Sequence, residues 1–398
     1  MATYVIVGAG LAGGKAAQTL RDEGFDGDIV LIGAERERPY ERPPLSKGYL
    51  HGKSEREKIF VHEPGWYDEH RVLLRTGVSA TRLDLDAHHV ELSDGTRQPY
   101  DKLLIATGAR PRTLPGPARY LRTVGDSEAL KAAFAGGGSV LVVGAGWIGL
   151  ETAAAARAAG CQVTVIEPAP TPLHRPLGPE LGEVFARVHR RNGVDLRLGT
   201  GVAEVTAEGV RLSTGERLAA DVVVAGVGAA PNIELGREAG LEVADGILTD
   251  ASLRTSHPDV YAAGDVAESH HPLYGRRLRV EHWANALNGG PAAARAMLGQ
   301  EVVYDRVPYF FTDQFELGME FSGDIEGYDE VVYRGSVDDL EFIAFWLRQG
   351  RVVAAMNVNV WDVVGELQQQ IRSGAVVDVK ELQAGAPVGF RSSGGGSS

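Results

Sequence analysis

The sequence predicts an α/β protein with two parallel-sheet units followed by a smaller α+β domain. Three observations carry this expectation. A glycine-rich turn joins a buried strand to an Ala-rich helix at the start of the chain. The same arrangement recurs near residue 140. From about residue 308 the pattern changes to short alternating strands joined as hairpins.

The first unit opens with Tyr4-Val5-Ile6-Val7, a short buried strand. It runs into Gly8-Ala9-Gly10-Leu11-Ala12-Gly13, which starts a helix extending to about Leu20. A second apolar run, Ile29 to Ile32, ends near Glu35. Strand, glycine turn, helix, strand and acid make up the dinucleotide-binding fingerprint of a Rossmann-like unit. Gly8 suits the tight turn, Gly10 lets backbone approach a pyrophosphate, and Gly13 lets helix pack on strand. The helix N-terminus offers unpaired N–H groups and partial positive charge to phosphate. Glu35 suits both hydroxyls of an adenosine ribose.

Next comes a charged stretch from Arg36 to Lys47. Pro43-Pro44 predicts that it is extended, and not helical, up to Leu45. Beside a nucleotide, Arg42 suits phosphate and Lys47 the ring end of a cofactor. A solvated charge run explains the same residues, and the residues alone leave both readings open. Residues 72 to 100 alternate apolar and polar, with a turn at Ser93-Asp94-Gly95, and predict a β meander. Leu103 to Gly108 reads as a buried strand with a small-residue end. Ala106 and Gly108, either side of Thr107, permit close approach of backbone to a ligand, and ordinary strand-end packing also accounts for them.

A Pro-rich crossover from Arg110 to Pro117 marks a boundary, and a helix follows from about Ser127 to Phe134. The fingerprint then recurs: a strand from Val140 to Val143, the turn Gly144-Ala145-Gly146-Trp147-Ile148-Gly149, an Ala-rich helix, the strand Gln162 to Ile166, and Glu167. Two complete fingerprints imply two dinucleotides. A helix ends over Arg187 to Asn192, and residues 194 to 218 predict a second meander. Asp221 to Ala225 reads as a buried strand leading to Gly226 and Gly228. Val260 to Asp265 reads as a strand ending in an acid that suits a polyol or a helix N-terminus. Arg276, Arg277 and Arg279 cluster before Glu281-His282-Trp283 and a helix from Ala284 to Leu298. Five hairpin strands and a helix over Asp362 to Ser373 complete the chain. The domains expected are 1–112 with 243–307, 113–242, and 308–391, with a flexible Gly/Ser tail at 392–398.

The chain carries 53 acidic and 40 basic residues, a formal net charge of -13. That balance argues against a nucleic-acid binder, because phosphate recognition needs local positive charge. The one cysteine, Cys161, can form no internal disulfide and no dithiol relay. Without a leader or a long apolar run, a cytoplasmic protein is expected. His88-His89 and His270-His271 lack cysteine or carboxylate partners at metal spacing, so each pair is expected in a surface turn and no metal is assigned.

Together these segments resemble the FAD-dependent, NADH-using ferredoxin reductases of the putidaredoxin-reductase and biphenyl-dioxygenase type. Glutathione reductase and apoptosis-inducing factor are wider kin. The resemblance rests on GAGLAGG from Gly8, RPPLSK from Arg42, LLIATGARPR from Leu103, YLRT from Tyr120, VVGAGWIGLE from Val142, GVGAAPN from Gly226, VYAAGD from Val260, EHWANA from Glu281 and FFTDQFELG from Phe310, in the family's order. It implies a glutathione-reductase-like fold with FAD on the first fingerprint and NADH on the second. Ala12, Glu35, Arg42, Lys47, Ala80, Arg122, Asp265 and Trp283 fall where the family contacts FAD. Glu151, Glu167, Arg175 and Gly228 fall where it contacts or faces NADH. Lys47 and Glu151 are expected to form an ion pair near the flavin N5, and Glu167 to favour NADH over NADPH. One departure is Phe311, which stands where the family usually has Trp.

The implied reaction passes electrons from NADH through FAD to a small [2Fe-2S] ferredoxin that serves an oxygenase, docked by Arg276, Arg277 and Arg279. A reductase of rubredoxin or monodehydroascorbate, or an NADH-sensing flavoprotein of the apoptosis-inducing-factor kind, would carry the same motifs. A flavin monooxygenase would need no second complete nucleotide unit, so residues Gly144 to Glu167 count against it.

Overall fold

The computed structural model describes residues 1–385. The tail expected at 392–398 lies outside the described residues. The chain divides into two compact units, Met1–Arg306 and Val307 onward.

The first unit contains two parallel sheets of related topology. In the first, the strands run in the order Val260–Ala262, Lys102–Ile105, Thr3–Val7, Asp28–Gly33 and Val72–Thr76, each parallel to its neighbour. The second has the order Val222–Ala225, Ser139–Val143, Gln162–Glu167 and Asp195–Leu198, again all parallel. The second sheet thus repeats the first without its outermost strand. Val5, Ile6, Leu103, Leu104 and Ile105 are fully buried, as a sheet covered on both faces requires. Each sheet carries its fingerprint helix, Leu11–Asp22 and Trp147–Ala158, directly after the central strand.

Two antiparallel meanders hang from these sheets, at residues 80–99 and 202–219. Both begin later than the alternation suggests. Val72–Thr76 and Asp195–Leu198 leave the meanders and pair as edge strands of the parallel sheets. A two-stranded ribbon, Ala109–Pro111 against Ala229–Pro231, ties the segments that link the halves. Asn232 fastens it: its amide donates to the Thr107 carbonyl at 2.8 Å, and Thr107 Oγ1 donates back to the Asn232 carbonyl at 2.9 Å.

Two local expectations need correction. Pro43–Ser46 is a short 3-10 helix, not extended chain. Its prolines occupy the first two helical positions, where no backbone N–H is required. His270 and His271 do not form a surface turn. They lie in the strand Ala267–His271, and His271 is buried. His88 does close a turn, with φ of 49°, but His89 opens the strand His89–Leu92.

The second unit is a five-stranded antiparallel sheet. Its order is Tyr309–Gln314, Leu317–Gly323, Arg351–Val358, Glu341–Arg348 and Glu330–Ser336. The helix Val364–Ser373 packs on its central strands. Trp346, Phe342 and Phe345 fill its core. Phe311 sits in the first hairpin, opposite Glu320. Among the described residues no helix is long and apolar enough to cross a membrane.

Candidate functional site

The two glycine turns have the same division of labour. A Cβ built on Gly8 would lie 2.0 Å from the Ala106 carbonyl oxygen, and one on Gly13 would lie 2.0 Å from that of Gly8. Gly144 and Gly149 repeat this, at 2.4 Å from the Gly226 oxygen and 2.1 Å from the Gly144 oxygen. The outer glycines therefore close the turn against the neighbouring strand. The middle ones face space: nothing lies within 4 Å of a Cβ on Gly10, and only the Gly226 oxygen, at 3.9 Å, approaches one on Gly146. Neither helix has a side-chain cap, so the first-turn N–H groups point into that space. Both turns fit a pyrophosphate.

Around the first turn the expected residues come together. Glu35 accepts hydrogen bonds from Arg42 Nη2 at 2.7 Å and from the Tyr40 hydroxyl. Arg42 also donates to Tyr40 Oη and to the Arg122 carbonyl. Tyr40 is buried, which pushes its hydroxyl well above its ordinary pKa, so it remains a donor. Arg122 stands just ahead of a helix capped by Thr123 and Asp126, and its guanidinium meets Asp265 at 3.0 Å. Its Nε is buried without a hydrogen-bond partner in the protein, a donor that fits a ligand oxygen. Gly108, with φ of 66°, lies against the same guanidinium. Ala80 follows Gly77 and Val78, whose amides bond the Glu35 and Gly33 carbonyls, and so reaches this end of the sheet. Trp283 opens the helix Trp283–Met297 near Glu41, whose carboxyl burial pushes above its ordinary pKa. His282, before it, is pushed down to about 4 by burial, against the opposing pull of Asp265, so it is neutral at pH 7.

At the second turn Glu167 ends its strand. Its carboxylate accepts from the Ala145 amide at 2.7 Å and the Ala169 amide at 2.9 Å, which holds it beside the glycines. Gly228 has φ of 102° and packs near the Arg112 stem. Ile148 is 43% exposed at the helix start. Arg175 is exposed at the head of the helix His174–Arg191, whose regular path breaks at Gly178. It is not drawn into a cluster with Glu167.

Between the turns, Lys47 Nζ lies 2.7 Å from Glu151 Oε1. Lys47 ends the 3-10 turn of the first half, and Glu151 belongs to the second fingerprint helix. Glu151 is 2% exposed. Ser46 donates to its other oxygen, Oε2. Neither Ser46 nor Tyr40 stands out in the sequence, where the one signal is that Ser46 precedes Lys47 and Tyr40 lies two residues before Arg42.

The arginine cluster is altered by the fold. Arg279 is committed to Asp245, at 3.0 Å, and to Glu281, so its charge is neutralised in place. Arg277 donates to the Thr249 carbonyl at 2.7 Å. The strand Arg276–Arg279 alternates its residues between faces, which places Arg276 on the face opposite Arg277 and Arg279.

Residues 2–290 match the model of the pyridine nucleotide-disulphide oxidoreductases, and residues 309–387 match that of the reductase C-terminal domain. The chain belongs to the pyridine nucleotide-disulphide oxidoreductase family. It is 41% identical to the ferredoxin–NAD(+) reductase component of the anthranilate 1,2-dioxygenase system of Burkholderia cepacia, over 95% of this chain and 96% of that one. It is 39% identical to putidaredoxin reductase of Pseudomonas putida, over 89% and 88%. The solved covalent complex of putidaredoxin reductase with putidaredoxin contains a chain that superposes with a TM-score of 0.91 at 36% identity, covering 97% of this chain and 99% of that one. The disulphide of the family name has no counterpart here, since the one cysteine, Cys161, is free and buried.

Proposed function

We propose that this member of the family is an NADH:ferredoxin reductase with FAD, acting in the cytoplasm and serving an oxygenase. The observation that carries the reading is the buried Lys47–Glu151 pair, which joins the loop of one nucleotide unit to the helix of the other. Its relatives from Burkholderia cepacia and Pseudomonas putida, named as reductases, support the same reading. Held on the first turn, FAD would supply the chemistry of accepting a hydride from NADH and releasing its two electrons singly to two ferredoxins.

Residues 1–112 and 243–307 form the FAD half. Gly10, Ala12, Glu35, Arg42, Ala80, Ala106 to Gly108, Arg122, Asp265 and Trp283 hold the cofactor there. Residues 113–242 form the NADH half, with Gly146, Ile148, Glu167, Arg175 and Gly228 as contacts. Lys47 and Glu151, paired at 2.7 Å, would set the local charge where the two halves join.

The fixed Glu167 carboxylate accepts from a ribose 2′-hydroxyl and repels a 2′-phosphate. NADH is therefore expected to exceed NADPH in kcat/KM by about a hundredfold, since like charges face to face cost several kcal/mol. Equal values for the two donors would remove Glu167 from this role.

The function itself is tested with NADH and a panel of [2Fe-2S], [4Fe-4S] and rubredoxin acceptors. Fast turnover with a [2Fe-2S] ferredoxin is expected. Turnover with rubredoxin alone would overturn the reading. Arg276 and Arg277 keep the docking role, and reversing both to Glu is expected to lower kcat/KM for ferredoxin several-fold at low salt. The loss should fade as the Debye length falls below about 10 Å near 0.1 M salt.

A further inference from the structure

We infer that Ser46 is a positioning residue for the Glu151 carboxylate, and through it for hydride transfer. The inference rests on the reading that NADH meets FAD beside Lys47 and Glu151. Ser46 and Lys47 are consecutive, yet they reach different oxygens of one buried acid. Lys47 Nζ takes Oε1 at 2.7 Å, and Ser46 Oγ takes Oε2. Ser46 and Glu151 are each 2% exposed, so water does not substitute for either bond.

A serine hydroxyl has a single proton. Its other acceptor, the Pro43 carbonyl, is 3.5 Å away, which is too long to compete with a carboxylate. The proton therefore points at Glu151. The turn that carries Ser46 is itself held. Ser127 Oγ donates to the Leu45 carbonyl at 2.8 Å, and the Lys47 and Tyr49 amides both return to the Pro44 carbonyl. Pro43 and Pro44 fix two backbone angles of the same turn.

The two bonds differ in kind. Lys47 is a mobile cation on a long stem, suited to engage negative charge that develops nearby. Ser46 is short, neutral and anchored. It keeps the acid in place whatever Lys47 engages, so the lysine can answer a change of charge without drawing the carboxylate with it. Ser46 gives up no proton and forms no bond to substrate.

The test uses FAD-loaded protein mixed rapidly with NADH, read as flavin bleaching, together with the equilibrium Kd for NAD+. Ser46→Ala is expected to slow bleaching at saturating NADH about tenfold, the worth of one hydrogen bond to a charged group. The Kd for NAD+ should stay within about twofold, since the adenine and ribose contacts lie elsewhere. Ser46→Thr should recover most of the rate. In a Glu151→Ala background, Ser46→Ala should add nothing, because its bond has no acceptor. Should the Ala protein fail to fold, Ser46→Cys, close in shape but a weaker donor, is expected to give an intermediate rate. A wild-type bleaching rate in Ser46→Ala or Ser46→Cys, or a further slowing in the Glu151→Ala background, overturns the role of Ser46 alone. A wild-type protein that NADH does not bleach overturns the functional reading as well.

Discussion

A Gly13→Val protein is expected to purify without colour, holding less than about a tenth of its FAD. A Cβ at this position lies 2.0 Å from the Gly8 carbonyl oxygen and 3.2 Å from Ile6 Cγ2. Neither neighbour can retreat. The Gly8 amide is tied to the Ile32 carbonyl at 2.8 Å, and Ile6 is fully buried. Valine must therefore displace the start of the helix Leu11–Asp22, which carries the phosphate-facing amides. Overpacking of this kind costs about 1–3 kcal/mol even without backbone contact. Gly10→Ala is the control. Nothing in the protein opposes its methyl, so the FAD-free protein should melt as wild type does while its FAD affinity falls. A yellow Gly13→Val protein with full FAD content would show that the turn is not the phosphate site.

Lys47→Met is expected to slow flavin reduction by NADH about a hundredfold, the scale of losing one preorganised charged donor. It should also destabilise the protein by about 3–5 kcal/mol, because Glu151 is left as a buried charge without its cation. The two effects separate in Lys47→Met with Glu151→Gln. Removing both charges should restore most of the melting temperature but not the rate. Stopped-flow reduction at the wild-type rate in Lys47→Met would take the pair out of the reaction.

Much of the site was legible because its parts are local. Gly8, Gly10 and Gly13 announce a turn within six residues, and Glu35 and Glu167 end strands that follow in sequence. The edge strands were not legible as such. Val72–Thr76 buries Val72 and exposes Leu73, the alternation that a half-covered strand shows in either a meander or a parallel sheet edge. Alternation reports how many faces are covered, and says nothing about which strand lies alongside. The 3-10 turn at Pro43–Ser46 was hidden for a related reason. Paired prolines suit both an extended segment and the first two positions of a helix, and only the surrounding bonds choose.

The two nucleotide turns, the acids that close their βαβ units and the absence of a dithiol follow from the residues alone. Each depends on residues close in the chain and on steric rules that hold in any context. The tertiary structure alone decided which polar groups answer one another. Ser46 meets Glu151 across a separation of 105 residues, and Arg42 meets the Arg122 carbonyl across 80. Arg279, one of three arginines clustered in the sequence, is spent on Asp245 and Glu281. A buried donor takes whichever acceptor the packing of distant elements brings within about 3 Å, because leaving it unpaired costs more than the bond is worth in water. That choice is made by the fold, so the charges that remain for substrate and partner become visible only once the chain has closed on itself.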